Sequence, residues 1–215
     1  SVGEVIDSVR LVGKETGFLQ EAEAEAKRLE EGFDKIRQAV AEAEAQSADA
    51  PPLTMSETDP DAPAEGVPVK KQKVAFLEWL EPLFNGGHWI PDLLRAAGAY
   101  YTMAEPGGKS KRLSWQELVE YDADVILIAP CGMDRKRAAV DGNRMWRHDW
   151  WRELRAVKDG KVHALDGNAY YARPGPRLLQ GSGIIARILH GDAVGDAIGE
   201  EISPKDSWTT ISGPP

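Results

Sequence analysis

Two stretches of the sequence gather side chains that could hold a large flat molecule. The first runs Glu78-Trp79-Leu80-Glu81-Pro82-Leu83-Phe84-Asn85-Gly86-Gly87-His88-Trp89. The second runs Asp166-Gly167-Asn168-Ala169-Tyr170-Tyr171-Ala172-Arg173-Pro174-Gly175-Pro176-Arg177. Each joins a strand pattern to a helical one and sets aromatic rings among glycines and prolines, the residues that fix turns. In α/β folds the loops after parallel strands open at one edge of the sheet, where ligands bind. Rings there can stack on a ligand or cover its edge, and a guanidinium such as that of Arg173 suits a carboxylate, a phosphate or a neighbouring acid. Either stretch alone reads equally well as core packing. Two in equivalent positions, with little acid–base machinery, point to holding a ligand rather than transforming one.

Other chemistries fail on spacing. Gly107-Gly108-Lys109-Ser110 ends like a phosphate-binding loop, but Met103 stands where its first glycine belongs and no strand leads directly into it. Gly181-Ser182-Gly183 lies inside a helical pattern, which suits close helix packing better than a dinucleotide site. Cys131 is the only cysteine, so no intrachain disulfide and no thiolate cluster can form. It follows a strand, where a nucleophile could sit, yet no base is recognisable beside it, and a small half-buried residue is the better reading. The four histidines show no metal-ligand spacing, so no built-in metal site is expected.

The elements that must position the two stretches come from periodicity. Val2 to Val12 reads as a short helix ending near Gly13. Leu19, Ala22, Ala26, Leu29, Phe33, Ile36 and Val40 form a narrow stripe on one long helix from about Thr16 to Ala45. That helix is either a coiled-coil strut or a backbone laid across two lobes. Gln46 to Lys73 has five prolines among acids and small residues, the composition of a flexible linker.

From Lys73 strands alternate with helices: a strand at Val74–Trp79, a helix at Trp89–Ala97, and a capping box at Ser114 and Glu117 opening another. Asp124–Ala129 is a buried strand, Asp134–Arg144 and Trp150–Val157 are helices, Lys161–Leu165 is a third strand, and Leu178–Leu189 is a terminal helix. The tail from Glu200 has Trp208 to tack it down. The pattern predicts an α/β fold, a small parallel sheet with helices on both faces.

Composition sets the outer limits. The chain of 215 residues is 42% hydrophobic and carries a net charge of −9, with its 26 basic residues scattered except for a short cluster from Lys109 to Arg112. That disfavours nucleic acid, which needs a basic face. The longest apolar run, Val125 to Pro130, is far short of the ~18 residues of a membrane span. There is no signal peptide or initiator methionine, and the sequence begins inside a helical pattern, as a processed or partial chain would.

From Lys73 onward the chain resembles the C-terminal lobe of cobalamin-binding, class III substrate-binding proteins of ABC importers. KVAFLEWLEPLFNGGHWIPDLLRAAG, LSWQELVEYDADVILIAPCGMD and, most specifically, WWRELRAVKDGKVHALDGNAYYARPGPRL carry the resemblance. It implies two α/β lobes joined by a long helix, with the ligand between them and no enzymatic activity. Residues 1–15 then correspond to the last helix of an N-terminal lobe, 16–45 to the inter-lobe helix, 46–72 to a linker, 73–199 to the ligand-binding lobe and 200–215 to a tail. The rest of the N-terminal lobe, from the same gene or a separate chain, is the expected partner.

The implied ligand is cobalamin, with haem or a ferric siderophore as alternatives, and no built-in cofactor. Its ligand-facing candidates are Trp79, Phe84, His88, Trp89, Tyr170, Tyr171 and Arg173. Related receptors dock a glutamate on the permease; Gln116 occupies that place here, with Glu117 beside it. An ABC permease is thus the second expected partner, and the location extracytoplasmic, in the periplasm or at the cell surface, or organellar in a eukaryotic source. The alternative is a structural subunit derived from the same fold that binds no ligand.

Overall fold

The computed structural model describes residues 1–48 and 71–213. Most of the linker expected at 46–72 lies outside the described residues.

A mixed sheet of five strands forms the centre, in the order β2-β1-β3-β4-β5. The strands are β1 (Val74–Leu80), β2 (Leu83–Asn85), β3 (Val125–Ile128), β4 (Val162–Leu165) and β5 (Trp208–Thr210). β1, β3 and β4 are parallel, with Val74 opposite Val125 and Ile126 opposite Val162. β2 and β5 pair antiparallel at the two edges. The three parallel strands are those the sequence predicts; the edge strands make the sheet mixed rather than wholly parallel. Trp208 does hold the tail, by opposing Leu165 in the ladder.

Side chains alternate across β1, sending Phe76 to one face of the sheet and Ala75 and Leu77 to the other. The Phe76 face is covered by α1 (Val2–Thr16), α2 (Leu19–Ala48), α3 (Ile90–Ala96), α9 (Leu178–His190) and α10 (Asp192–Ile198), with Tyr170 of the short α8 (Gly167–Tyr170) packed against it. The opposite face is covered by α4 (Trp115–Tyr121), α5 (Arg135–Arg144), α6 (Asp149–Glu153) and α7 (Arg155–Lys158), with Trp151 fully buried among them.

Several boundaries differ from the periodic reading. α1 runs past Gly13 to Thr16 and ends at Gly17, whose φ of 82° makes the left-handed cap. Gly13 serves instead as a point of close approach, since a Cβ there would lie 2.1 Å from that of Ala22. The helix expected over Trp150–Val157 breaks at Leu154, which is extended (ψ 136°). α9 is followed by a further helix, α10, bound to it through the buried Arg187, which reaches Asp192 and Asp196 at 2.8 and 2.9 Å.

The stripe on α2 is buried from Ala22 to Val40, but its expected first residue, Leu19, is exposed. Its two ends have different neighbours. Near the start, Ala22 meets Gly13 and Glu23 pairs with Arg10, both on α1. Further along, Gly32 lies under Leu179, and Val40 lies against Gly98 at the end of α3. Leu11 and Val12 in the last part of α1, and Phe18 and Leu19 where α2 begins, are exposed.

Candidate functional site

The loops that follow β1, β3 and β4 meet at one edge of the sheet. The loop after β3, residues 130–134, is tied to both others. Cys131 N–H donates to Glu78 O (3.2 Å), and Asn168 N–H donates to Met133 O (3.0 Å). Gly167 lies so close beneath this loop that a Cβ would be 2.2 Å from Pro130 O. Neither aromatic stretch includes this middle loop. Its place directly after the DVILIA strand was the available signal. Cys131 is exposed, but desolvation and the Glu78 carboxylate push its thiol pKa up, so it is poorly suited to act as a nucleophile.

The two aromatic stretches come together directly. Trp89, the residue capping α3, donates its indole N–H to Tyr171 O at 2.8 Å. Tyr171 is only 4% exposed; its ring stands edge-on to Phe76 at 5.4 Å, and its hydroxyl donates to Gly181 O at 3.0 Å. Burial raises its phenol pKa well above the ordinary value, so it stays a neutral donor. Gly181 is required here, because a Cβ would approach Tyr170 O and the Tyr171 ring to 2.9 Å. Tyr171 thus anchors the loop, and the surface it supports is made by half-buried Trp89 and Tyr170 and exposed His88 and Arg173.

His88 is held in the left-handed region (φ 55°) with its ring 5.7 Å from that of Trp89. A loop through residues 103–113 buttresses it. His88 N–H donates to Gly108 O (2.5 Å), Gly107 N–H to His88 O (2.8 Å), and Gly87 N–H to Ser110 Oγ (3.2 Å). Beneath them Asn85, fully buried, accepts from Lys111 N–H through Oδ1 at 2.6 Å.

Trp79 and Phe84 stand apart from this group. They oppose one another across β1 and β2, beyond an irregularity in the ladder after Leu77, and the next pair, Leu80 and Leu83, is the one that enters the core under the Leu77 face. Trp79 donates to Glu81 O (3.1 Å) and lines a cavity of about 200 Å³ with Glu81, Pro130, Met133, Arg137 and Arg144.

On this side lies an aromatic stack that the sequence reading did not identify. The Trp115 and Trp150 rings are 6.2 Å apart, and His148 lies 5.6 Å from Trp150. Gln116, next to Trp115, is exposed. Glu117 is occupied as a cap: its carboxylate accepts from Ser114 N–H and Ser114 Oγ–H, both at 2.7 Å, and these donors lower its pKa. Among the described residues no His, Cys, Asp and Glu cluster could hold a metal ion, and no helix is long and apolar enough to cross a membrane.

The family model described as periplasmic binding protein matches residues 1–169. Solved structures share the fold at low identity. An ABC transporter substrate-binding protein from Listeria monocytogenes is 18% identical at a TM-score of 0.65, over 88% of this chain and 65% of its own. A periplasmic heme binding protein from Pseudomonas aeruginosa matches at 18% and 0.65, over 88% and 60%. A protein of an ABC-type Fe3+-hydroxamate transport system from Saccharomonospora viridis matches at 14% and 0.64, over 87% and 56%. This chain therefore spans between 56% and 65% of the length of these three. No curated protein matches it by sequence. The family and these neighbours are solute-binding proteins and not enzymes, and with a match over three quarters of its length the chain belongs to the periplasmic binding protein family.

Proposed function

We propose that the chain supplies one face of the ligand cleft of an extracytoplasmic solute receptor serving an ABC-type importer, and that its ligand is a large metal chelate. The observation that carries this reading is the joining of the two strand-end loops by the Trp89–Tyr171 hydrogen bond. It sets His88, Trp89 and Tyr170 at one edge of the parallel sheet around a buried anchor. Large aromatic area on a rigid base holds a flat ring system at low entropic cost. The sequence of these loops favours a corrinoid. Exposed His88, a potential axial donor, and the haem- and hydroxamate-related neighbours support a haem or ferric siderophore as the second reading.

The opposite face of the cleft would come from the portion of the relatives' length that this chain does not span. The exposed apolar side chains of Leu11 and Val12 on α1 and of Phe18 and Leu19 at the start of α2 support that view, because exposed apolar residues of this size suit a covering lobe. In this reading α2 is the strut, with α1 beside its first turns and the present lobe beside its last. Gln116 and the neighbouring Trp115 are the surface proposed to meet a permease.

Calorimetric titration with cyanocobalamin, haem and a ferric hydroxamate tests the proposal. The chain alone is expected to bind one of them weakly, and a two-lobe protein containing it about a thousandfold more tightly, since a second face adds on the order of 4 kcal/mol. Absence of binding to all three in the two-lobe form would refute ligand binding and leave a structural subunit as the reading.

A further inference from the structure

Charge is unevenly placed along this chain. Between residues 135 and 158 there are eight basic and three acidic residues, although the net charge of the whole is −9. The same stretch holds three of the seven tryptophans, and a fourth, Trp115, stacks on one of them. Arg155 and Lys158 are engaged within the domain, by Asp122 and Asp124 and by Glu153. The remaining cations lie on α5 and the turns after it, and they outnumber their carboxylates even with Glu81 and Asp134 included. Arg144, Trp146, Arg147 and Arg152 line one cavity of about 590 Å³ with Asn143, and no carboxylate is among its lining residues. The acidic partners are Asp141 for Arg144, Glu81 for Arg147 and Asp149 for Arg152. A guanidinium has five N–H donors, so one carboxylate leaves each of the three with donors for a further anion.

Apolar surface continues from this cavity in two directions. On α5, exposed Val140 stands one turn after Lys136 and one turn before Arg144, so the three share a face. Lys136 is exposed and forms no ion pair among the described residues. From Arg147 the surface runs through direct contacts. Arg147 Nε–H donates to His148 Nε2 at 3.2 Å, His148 stacks on Trp150 at 5.6 Å, and Trp150 stacks on exposed Trp115 at 6.2 Å. Indoles beside guanidiniums suit the headgroup layer of a bilayer, where the ring lies at the boundary of polar and apolar and the guanidinium forks onto phosphate. A small soluble anion would occupy the cavity and leave Trp115 and Val140 unused, whereas a lipid surface engages all of them. Trp115 also adjoins Gln116, the residue proposed to meet a permease, and what flanks a permease is membrane.

We propose that this face, from Val140 through Arg144, Arg147 and Arg152 to Trp115, seats on a bilayer surface that contains anionic phospholipid, with the cavity taking a headgroup phosphate. It goes beyond the ligand reading and concerns the opposite face of the sheet, so either can fail alone. The test is co-sedimentation of the full chain with vesicles that contain no permease, made of phosphatidylcholine alone or with about one-third phosphatidylglycerol. Partitioning onto the anionic vesicles should be at least about tenfold stronger in ~0.05 M salt, and the excess should shrink in ~0.5 M salt. Arg144→Gln combined with Arg152→Gln should reduce the excess to about threefold or less. That variant should keep its fold, because Asp141 retains Arg137 and Asp149 is left in solvent. Trp115→Ala should weaken partitioning onto both kinds of vesicle by about threefold. A charge-matched control on α2, Lys27→Gln with Arg37→Gln, should change the excess by less than about twofold. Equal sedimentation with both kinds of vesicle overturns the proposal, as does a control that loses as much as the arginine pair. Soluble glycerol phosphate at about 1 mM should displace little of the bound protein. If it displaces all of it, the cavity belongs to a soluble phosphate ester and the membrane seat is overturned.

Discussion

Two aromatic groups share the same edge of the sheet, on opposite faces, and they are built differently. His88, Trp89, Tyr170 and Tyr171 hang from one buried ring whose hydroxyl is bonded to α9, and Arg173, exposed in the same loop, has no acidic partner among the described residues. Trp115, Trp150 and His148 stack on one another, and the charges beside them are matched internally, Glu81 accepting from both Arg147 and His148. A region whose bases are partly engaged by its own acids holds no small ligand tightly. One that leaves rings and a cation open on a rigid base is arranged to hold one. The first group is therefore the stronger candidate for the ligand, and the second for contacts in which a flat surface suffices.

The largest effect expected from breaking the comparison is at Tyr171. Tyr171→Ala removes a ring buried against Phe76 and should cost about 3–5 kcal/mol of stability by chemical denaturation, together with ligand binding. Tyr171→Phe removes only the bond to Gly181 and should cost about 1 kcal/mol. If both variants were equally mild, Tyr171 would not be the anchor of its group.

Trp89→Phe comes next. It keeps an apolar ring but breaks the bond to Tyr171 O, so the two loops lose their direct link. Stability should fall by about 1 kcal/mol, and chelate affinity by roughly tenfold, measured by titration of the two-lobe protein. Affinity that stays level while stability drops would make the link structural and nothing more.

Trp115→Ala, in the other group, sharpens the contrast from the opposite direction. Trp115 is 46% exposed and stacks on Trp150, so its loss should cost about 1 kcal/mol and leave chelate affinity within twofold. A loss of affinity as large as that of Trp89→Phe would place the ligand across both groups.

How far these groups could be read from sequence depends on what each signal encodes. The DVILIA strand was legible because a continuous β-branched run has only one comfortable place, a sheet buried on both faces. The Ser114–Glu117 box was legible because capping is local chemistry. The break at Leu154 carries no glycine or proline to mark it. β2 is three residues long and lay hidden inside an aromatic loop. The division of Trp79 and Phe84 from His88 and Trp89 was out of reach for a related reason. Loop spacing says which side chains are near in sequence, whereas the face each takes depends on the irregular ladder after Leu77 and on β2 doubling back. The Trp115–Trp150 stack joins residues from two helices on separate crossovers, and no local pattern links them.

The smallest expected effect tests whether the second group is as self-contained as it looks. Glu81 bridges Arg147 and His148, the link between the first loop and the segment leading into α6. Arg147 and Glu81 are about half exposed, at 55% and 46%, so solvent screens the pair; desolvation acts to raise the Glu81 pKa, and the hydrogen bonds and charges of Arg147 and His148 lower it. A double-mutant cycle with Glu81→Gln and Arg147→Gln should therefore give a coupling of about 0.5 kcal/mol or less. Protonating Glu81 at low pH should weaken the bridge by a similar amount: a carboxyl whose folded pKa is depressed contributes above its unfolded value and loses that contribution as pH falls through the folded one. Chelate affinity should not change in either variant. A coupling several times larger, or a change in affinity, would mean that Glu81 positions the first loop for the ligand, and the two groups would then work as one surface.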